Sequence, residues 1–376
     1  MRTSLHLSPS VRLLGARQSL LQLVTHLDPQ RWRPVVALPF SRGGLADALD
    51  QAGVAHETVR MGQWRKVKFW PRIPFDLRRL RRIARAEGVD LIHVNEPHSA
   101  PYGLRVARAL GIPCIGHVRL DNVDQRLIRN YGLAQLDAVV AVSHAVADQL
   151  RGLPSVHVIP NGVDGEALRQ VAPPRDRARA RLGLGADDLV IGQVGLITPR
   201  KRCHVAIEAF ELIAEQFPSA RLLLVGDPGP SDAGYRDEIE RRITQRDLGR
   251  HVRLLPFQED IAAVYAALDV NLLISGTEGF GRVIIEAAAL GIPTIGTRVG
   301  GIPEVIREGE TGLLIPPDDP TALAEALVAL LSNAGGRRRM GEVAQRWADA
   351  ENGIDRHTER MMALFDQVLA TQRAVN

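Results

Sequence analysis

One lysine stands alone in the second half of this chain. Of the 47 Lys and Arg among 376 residues, only Lys66, Lys68 and Lys201 are lysines. Lys201 lies in Gly195–Arg202 (GLITPRKR), directly after the strand-like run Leu189–Val194. An ammonium is a compact point charge suited to phosphate, and arginine does not reproduce its geometry. The second cluster is Ser275–Gly281 (SGTEGFG), followed by RVIIEAAALGIP. A strand ends at Ile274, Gly279 and Gly281 permit close approach of a ligand, and a helix starting near Gly281 presents free N–H groups to an anion. Glu278 lies in that loop. Glu286 lies inside the apolar helix that follows, where a carboxylate needs a hydrogen-bonding partner. Ribose or hexose hydroxyls would serve. A capping acid at 278 and a solvated one at 286 are the alternative reading.

The elements that must position these residues alternate from end to end. Pro34–Pro39, Leu91–Val94, Pro113–Val118, Asp137–Ser143 and Val156–Ile159 read as buried strands. Helical stretches at Ser19–Leu27, Leu45–Gln51, Asp76–Glu87 and Tyr102–Leu110 lie between them. Val171–Arg177 (VAPPRDR) is the best linker candidate. Strands then resume at Leu189–Val194, Arg221–Val225, His251–Leu255, Val270–Ile274 and Pro293–Thr297, and the chain ends in helices at Thr321–Ser332, Gly336–Ala350 and Arg356–Ala374. The length and this restart predict an α/β protein of two doubly wound domains, residues 1–172 and 173–352, with a last helix from 353 to 376. Ligands of such sheets bind at the carboxyl ends of strands, which makes a cleft between the domains the expected site.

Composition narrows the class. Apolar residues at 45% and charged residues at 24% fit a globular protein. No apolar run approaches the roughly 18 residues a membrane span requires. Pro9 and Arg12 interrupt the first residues, which argues against a signal peptide. Cys114 and Cys203 are far apart in apolar contexts, favouring a reduced, cytoplasmic setting. Residues 1–100 carry 16 Lys/Arg against 8 Asp/Glu, and ten of those cations fall between Arg60 and Arg85 among Trp64, Phe69 and Trp70. Such a stretch either docks on anionic lipid headgroups at the inner face of a membrane or forms a solvated helix face. No nucleic-acid module accompanies it.

The ordered series E-G-F-G-x4-E, A-x-x-x-G-I-P, G-G-I-P-E and E-T-G-L-L-I-P-P-D-D-P across Ser275–Asp319 resembles the signature of the retaining group 1 glycosyltransferases. The resemblance implies the GT-B architecture, two Rossmann-like domains facing across a cleft. It implies that Glu278 meets donor-sugar hydroxyls and Glu286 the ribose, with Phe280 and Gly281 in the loop facing sugar and diphosphate and Ser275 opening the motif. GLITPRKR is similar to the family's G-R-L-x-x-x-K-G segment, in which an arginine and a lysine neutralise the diphosphate. Lys201 falls on the lysine, but Leu196 occupies the arginine position and Arg202 the final glycine. Either Arg200 or Arg202 could restore the charge.

In the first domain Ile159–Asp164 (IPNGVD) resembles the family's closing turn. By the same likeness His117, at a strand end, lies near the donor sugar; simple packing is the other reading. Ser143 fits an N-cap. Gly15, in a loop lacking the family's acidic residue, would let backbone approach the phosphate, and Asn95 and Glu96 after LIHV are acceptor-side candidates. The implied reaction is hexosyl transfer from a UDP- or GDP-sugar to a hydroxyl acceptor with retention, in polysaccharide or glycolipid synthesis. The acceptor would be a glycan, a lipid-linked glycan or a small molecule. No cofactor is implied, and the absence of an Asp-x-Asp motif predicts no essential metal. A nucleotide-sugar epimerase, a glycan phosphorylase and a non-catalytic nucleotide-sugar-binding module are the rival readings.

Overall fold

The computed structural model describes residues 1–375. The chain divides into two compact units: Met1–Gly162 with the segment from Ile354 onward, and Val163–Gly353. The first unit holds seven strands: β1 (Arg2–Leu7), β2 (Trp32–Leu38), β3 (His56–Thr58), β4 (Leu91–Val94), β5 (Cys114–Val118), β6 (Ala138–Ala141) and β7 (Val156–Val158). Their order is β3-β2-β1-β4-β5-β6-β7, and every pairing is parallel. The second unit holds β8 (Leu189–Val194), β9 (Ala220–Val225), β10 (Val252–Leu255), β11 (Val270–Leu273), β12 (Thr294–Thr297) and β13 (Gly312–Ile315), in the order β10-β9-β8-β11-β12-β13, again all parallel.

In both sheets the strand order reverses once, between β1 and β4 and between β8 and β11. Loops leaving neighbouring strands on either side of such a point part to opposite faces and open a crevice at the strands' carboxyl ends. In the second unit those loops are Gly195–Arg202 and Ile274–Gly281, the two segments singled out for phosphate and sugar chemistry.

The units part at Gly162–Val163 rather than at 172, and VAPPRDR is not the link between them. The helix Gly165–Val171 is capped by Asp164, whose carboxylate accepts from Ala167 N–H. Arg169 binds Ala289 O at 3.0 Å and Asp349 at 3.1 Å, tying that helix to the second unit. Pro174 then starts the helix Arg175–Arg181 inside the same unit. The C-terminal helix Ile354–Val375 belongs to the first unit, where Met361 and Phe365 join Leu23, Trp32, Leu91 and Ile115 in one core. Arg31 clasps it through Glu359 at 2.9 Å and Asp366 at 2.7 Å.

At the amino ends of the second sheet, Asp269 is buried under three guanidinium groups. Arg179 lies at 2.8 Å, Arg337 at 3.2 Å and Arg175 in direct contact. Val190 N–H adds a hydrogen bond at 2.8 Å. This cluster fastens the helices Arg175–Arg181 and Ala334–Asn352 beneath β8 and β11, at the end of the sheet opposite the two loops.

Candidate functional site

The loop after β8 turns at Gly195, with φ +143°, beside Gly226, with φ +147°; a Cβ on Gly226 would meet Gly195 O at 2.0 Å. Only glycine fits so close an approach at that backbone angle. A short 3-10 turn, Pro199–Lys201, follows and ends at Arg202, which adopts the left-handed conformation with φ 54°. Gln193 Nε2 donates to Lys201 O at 2.6 Å, and Gly276 N–H to Arg200 O at 2.8 Å. The second of these bonds joins the two loops directly.

Four side chains then converge. Lys201 Nζ lies 2.6 Å from Glu278 Oε2, Arg200 Nη1 lies 3.2 Å from the same oxygen, and Ser275 Oγ donates to it at 3.3 Å. Lys201 and Glu278 are mostly buried and Arg200 is half exposed. Burial alone would raise the Glu278 pKa. The charges of Lys201 and Arg200, with hydrogen bonds from Lys201 and Ser275, outweigh it and hold the carboxyl below its ordinary value. Arg202 turns elsewhere, pairing with Asp318 at 2.6 Å and packing over Gly276. Of the two arginines that could replace the charge absent at Leu196, Arg200 is the one beside Glu278.

The peptide carrying Glu278 is itself clamped. A Cβ on Gly300, φ +50°, would strike Glu278 O at 2.0 Å, and one on Gly301 would strike Gly279 O at 2.3 Å. Gly301 N–H donates to Glu278 O at 2.9 Å, and Thr297 Oγ1 to Ser275 O at 2.7 Å. The GGIP motif is therefore the wall behind the Glu278 loop. Gly281, φ +95°, caps the helix Arg282–Ala289 in the left-handed region, where a Cβ would collide with Leu273 and Ile284. Phe280 is buried. Lys201 thus contacts a carboxylate four residues before the first residue of that helix, on the same end of the sheet.

Glu286 is neither solvated nor without partners. Its Oε1 lies 2.8 Å from Arg282 Nε, one turn earlier, and its Oε2 accepts from Tyr265 at 3.0 Å. The protein itself supplies the partners that the sequence reading sought from sugar hydroxyls. Burial, then the Glu286 charge, pushes the Tyr265 hydroxyl far up, so it stays a donor. Sequence reasoning missed both partners. The i, i+4 spacing of Arg282 and Glu286 was an available signal, whereas Tyr265 comes from another helix and had none.

In the first unit, Gly15 begins the helix Gly15–Thr25 with open space where a Cβ would stand. Asn95 is fully buried: its Nδ2 donates to Ala16 O at 3.1 Å, and Arg119 Nη1 donates to its Oδ1 at 2.9 Å and its O at 2.7 Å. It pins the ends of β4 and β5 to the first helix. Glu96 pairs with Arg17 at 3.3 Å. Ser143 Oγ accepts from Val146 N–H at 3.1 Å, an N-cap. His117 is fully buried in β5, with neither ring nitrogen hydrogen-bonded among the described residues. Its ring centroid is 5.7 Å from that of His93, whose Nδ1 is 3.0 Å from His6 Nδ1. Burial holds all three histidines well below the usual imidazole range, His6 at about 3. Each is neutral at pH 7.

The family model for "Glycosyl transferases group 1" matches residues 174–347, and that for "Glycosyltransferase Family 4" matches 14–167. The N-acetyl-alpha-D-glucosaminyl L-malate synthase of Bacillus anthracis is 31% identical over 292 residues, 72% of this chain and 74% of that protein. A D-inositol 3-phosphate glycosyltransferase of Actinosynnema mirum is 36% identical over 249 residues, 62% of this chain and 58% of its own. Among solved structures, Anabaena HepE in complex with UDP and glucose superposes with a TM-score of 0.85 at 23% identity, over 97% of this chain and 100% of that one. Sucrose-phosphate synthase from Thermosynechococcus elongatus gives 0.80 at 23% identity, over 99% and 100%. The fold of these neighbours is GT-B. Two family models in tandem, a relative matched over most of its length and the ordered motifs now seen in place lead to one conclusion: the chain belongs to the group 1 glycosyltransferases.

Proposed function

We propose that this glycosyltransferase moves a hexosyl group from a UDP- or GDP-sugar to a hydroxyl acceptor with retention of anomeric configuration. The observation that carries the reading is the convergence of Lys201, Arg200, Ser275 and Glu278 at the point where the second sheet reverses. Lys201 and Arg200 take the donor diphosphate, together with the amide dipoles opening the helix at Gly281. Ser275, Phe280 and Gly281 shape the loop beside it, and Arg202 supports that loop through Asp318. Glu278 receives the sugar hydroxyls. Glu286 receives the ribose, oriented by Arg282 and Tyr265.

In the transfer the bond from the anomeric carbon to the diphosphate oxygen breaks as the acceptor oxygen bonds to that carbon from the same face. The acceptor's proton passes to the departing phosphate oxygen. Negative charge grows on the leaving group, so the nearby cations and dipoles lower the barrier most at that moment. With two side-chain cations in that role, we propose that no divalent metal is required, and that transfer persists in excess chelator. On the first unit's side, Gly15 is assigned near the phosphate and Glu96 toward the acceptor. His117 and Asn95, expected from the sequence at the donor sugar and the acceptor, are fully buried and act by holding the ends of β5 and β4 rather than by touching substrate.

The names of the relatives suggest which acceptors to try first. L-malate and D-inositol 3-phosphate are both small, anionic and hydroxylated. A release assay for UDP and GDP, run across common nucleotide sugars with these acceptors, with polysaccharide fragments and with none, tests the proposal. Acceptor-stimulated release of one nucleoside diphosphate, with a glycoside product of retained configuration, is expected. Conversion of the donor into an epimeric nucleotide sugar without acceptor would indicate an epimerase, and binding without turnover a non-catalytic module.

A further inference from the structure

We propose that the first unit docks on an anionic lipid bilayer through the segment Arg60–Arg85. Two consecutive elements build the surface. A 3-10 turn, Val67–Arg72, runs into the helix Ile73–Ala86. Within the helix Asp76, Leu80, Ile83 and Ala84 face the core at the i, i+4, i+7, i+8 spacing of one stripe. The opposite stripe carries Phe75, Arg78, Arg79, Arg82 and Arg85, all exposed.

Three large apolar side chains stand out among these cations: Val67 is 67% exposed, Trp70 56% and Phe75 66%. The protein anchors the segment through a different residue. Trp64 packs edge-on against Tyr102 at 5.2 Å, lies under Arg105 at 4.1 Å and accepts from Trp70 Nε1 through its carbonyl at 3.1 Å. Trp70 is therefore held by its ring nitrogen while most of the indole meets solvent.

The charge is unbalanced to match. Ten cations fall between Arg60 and Arg85 against one acid, Asp76, which is buried. Among the described residues the segment's ion pairs are Arg72–Asp76 at 3.4 Å and Arg79–Glu57 at 3.9 Å. Arg65, Lys66, Lys68, Arg78, Arg82 and Arg85 have no carboxylate partner among them. A nucleic-acid duplex would engage the cations but has no use for exposed valine, tryptophan and phenylalanine at their centre. A bilayer surface takes both, headgroups on the guanidinium groups and acyl chains around the rings.

The test is sedimentation of the whole protein with vesicles, a readout independent of donor chemistry and of the proposed reaction. Binding is expected to vesicles containing a third phosphatidylglycerol and not to pure phosphatidylcholine, and to fall away at high salt. The triple variant Arg78→Gln/Arg82→Gln/Arg85→Gln should bind at least about tenfold more weakly, each surface cation contributing several-fold. Trp70→Ser/Phe75→Ser should also lose affinity, with its salt dependence kept. None of these residues belongs to the proposed transfer site, so donor hydrolysis by both variants should match the parent and report a correct fold. Equal binding to both vesicle types, no binding to either, or tighter binding to duplex DNA than to the anionic vesicles would overturn the proposal.

Discussion

Lys201 Nζ and Glu278 Oε2 lie 2.6 Å apart, a cation from the loop after β8 closed on an anion from the loop after β11. The pair joins the two loops that flank the reversal of the second sheet. The carboxylate of Glu278 balances the Lys201 charge, and on the proposed reading a donor diphosphate would share that charge.

The pair sets a pH dependence. Glu278 is held below its ordinary carboxyl value of 4.5, against burial, by Lys201 and Arg200. A carboxyl depressed on folding contributes stability that is present above its unfolded pKa and lost as pH falls through the folded one. Glu278→Gln should therefore melt below the parent at neutral pH, and the gap should narrow as pH falls from about 5 toward 3. Thermal melts of both proteins across that range check this; a gap independent of pH would contradict it.

Glu286→Ala removes the acceptor for the buried Tyr265 hydroxyl and the partner of Arg282. Losing charged hydrogen bonds of roughly 1.5–3 kcal/mol should weaken donor use about 10- to 150-fold. Glu286→Gln keeps an acceptor for Tyr265 and should recover stability but not donor affinity. Melting temperature and donor titration on both variants separate the two effects.

Asp269 pairs with three arginines at the far end of the same sheet. Asp269→Asn should cost about 3–5 kcal/mol, the usual penalty for breaking a buried ionic cluster from one side. Denaturant unfolding measures it. Donor affinity of the folded fraction should be unchanged, because the cluster lies at the amino ends of the strands.

His6, His93 and His117 are each neutral and buried, with pKa values lowered by burial. The unfolded chain takes up their protons below about 6.5 while the folded one does not, so stability falls as the medium is acidified. Each should contribute a loss of about 1.4 kcal/mol per pH unit below that point. Urea unfolding between neutral pH and about 5 tests this, and stability flat across that interval would contradict it.

Much of the second unit was legible because its strands are continuous apolar runs. Leu189–Val194 coincides with β8, and Val270–Ile274 overruns β11 by one residue. One interior strand of the first unit, β1, escaped notice. RTSLHL reads as polar, yet Thr3, Ser4 and His6 are buried in β1, where Ser4 and His6 bond to each other at 2.8 Å. Tertiary pairing satisfied what local pattern counted against burial. β3 is only three residues long, and β13 lies inside the GLLI of a motif that drew attention as a motif. The domain boundary was misplaced because VAPPRDR looks like a linker by composition, while the contacts that bind Gly165–Val171 to the second unit come from Ala289 and Asp349, far along the chain. The choice between Arg200 and Arg202 needed the left-handed turn at 202, which no composition reveals.

The most direct measurement is calorimetric titration of UDP and GDP into the parent and Lys201→Ala, with melting temperatures taken alongside. Removing a charge-assisted contact of roughly 1.5–3 kcal/mol predicts affinity lower by about 10- to 150-fold for the nucleotide the parent binds, with the fold retained. Equal affinity in a well-folded Lys201→Ala protein would contradict the assignment of the diphosphate to this site.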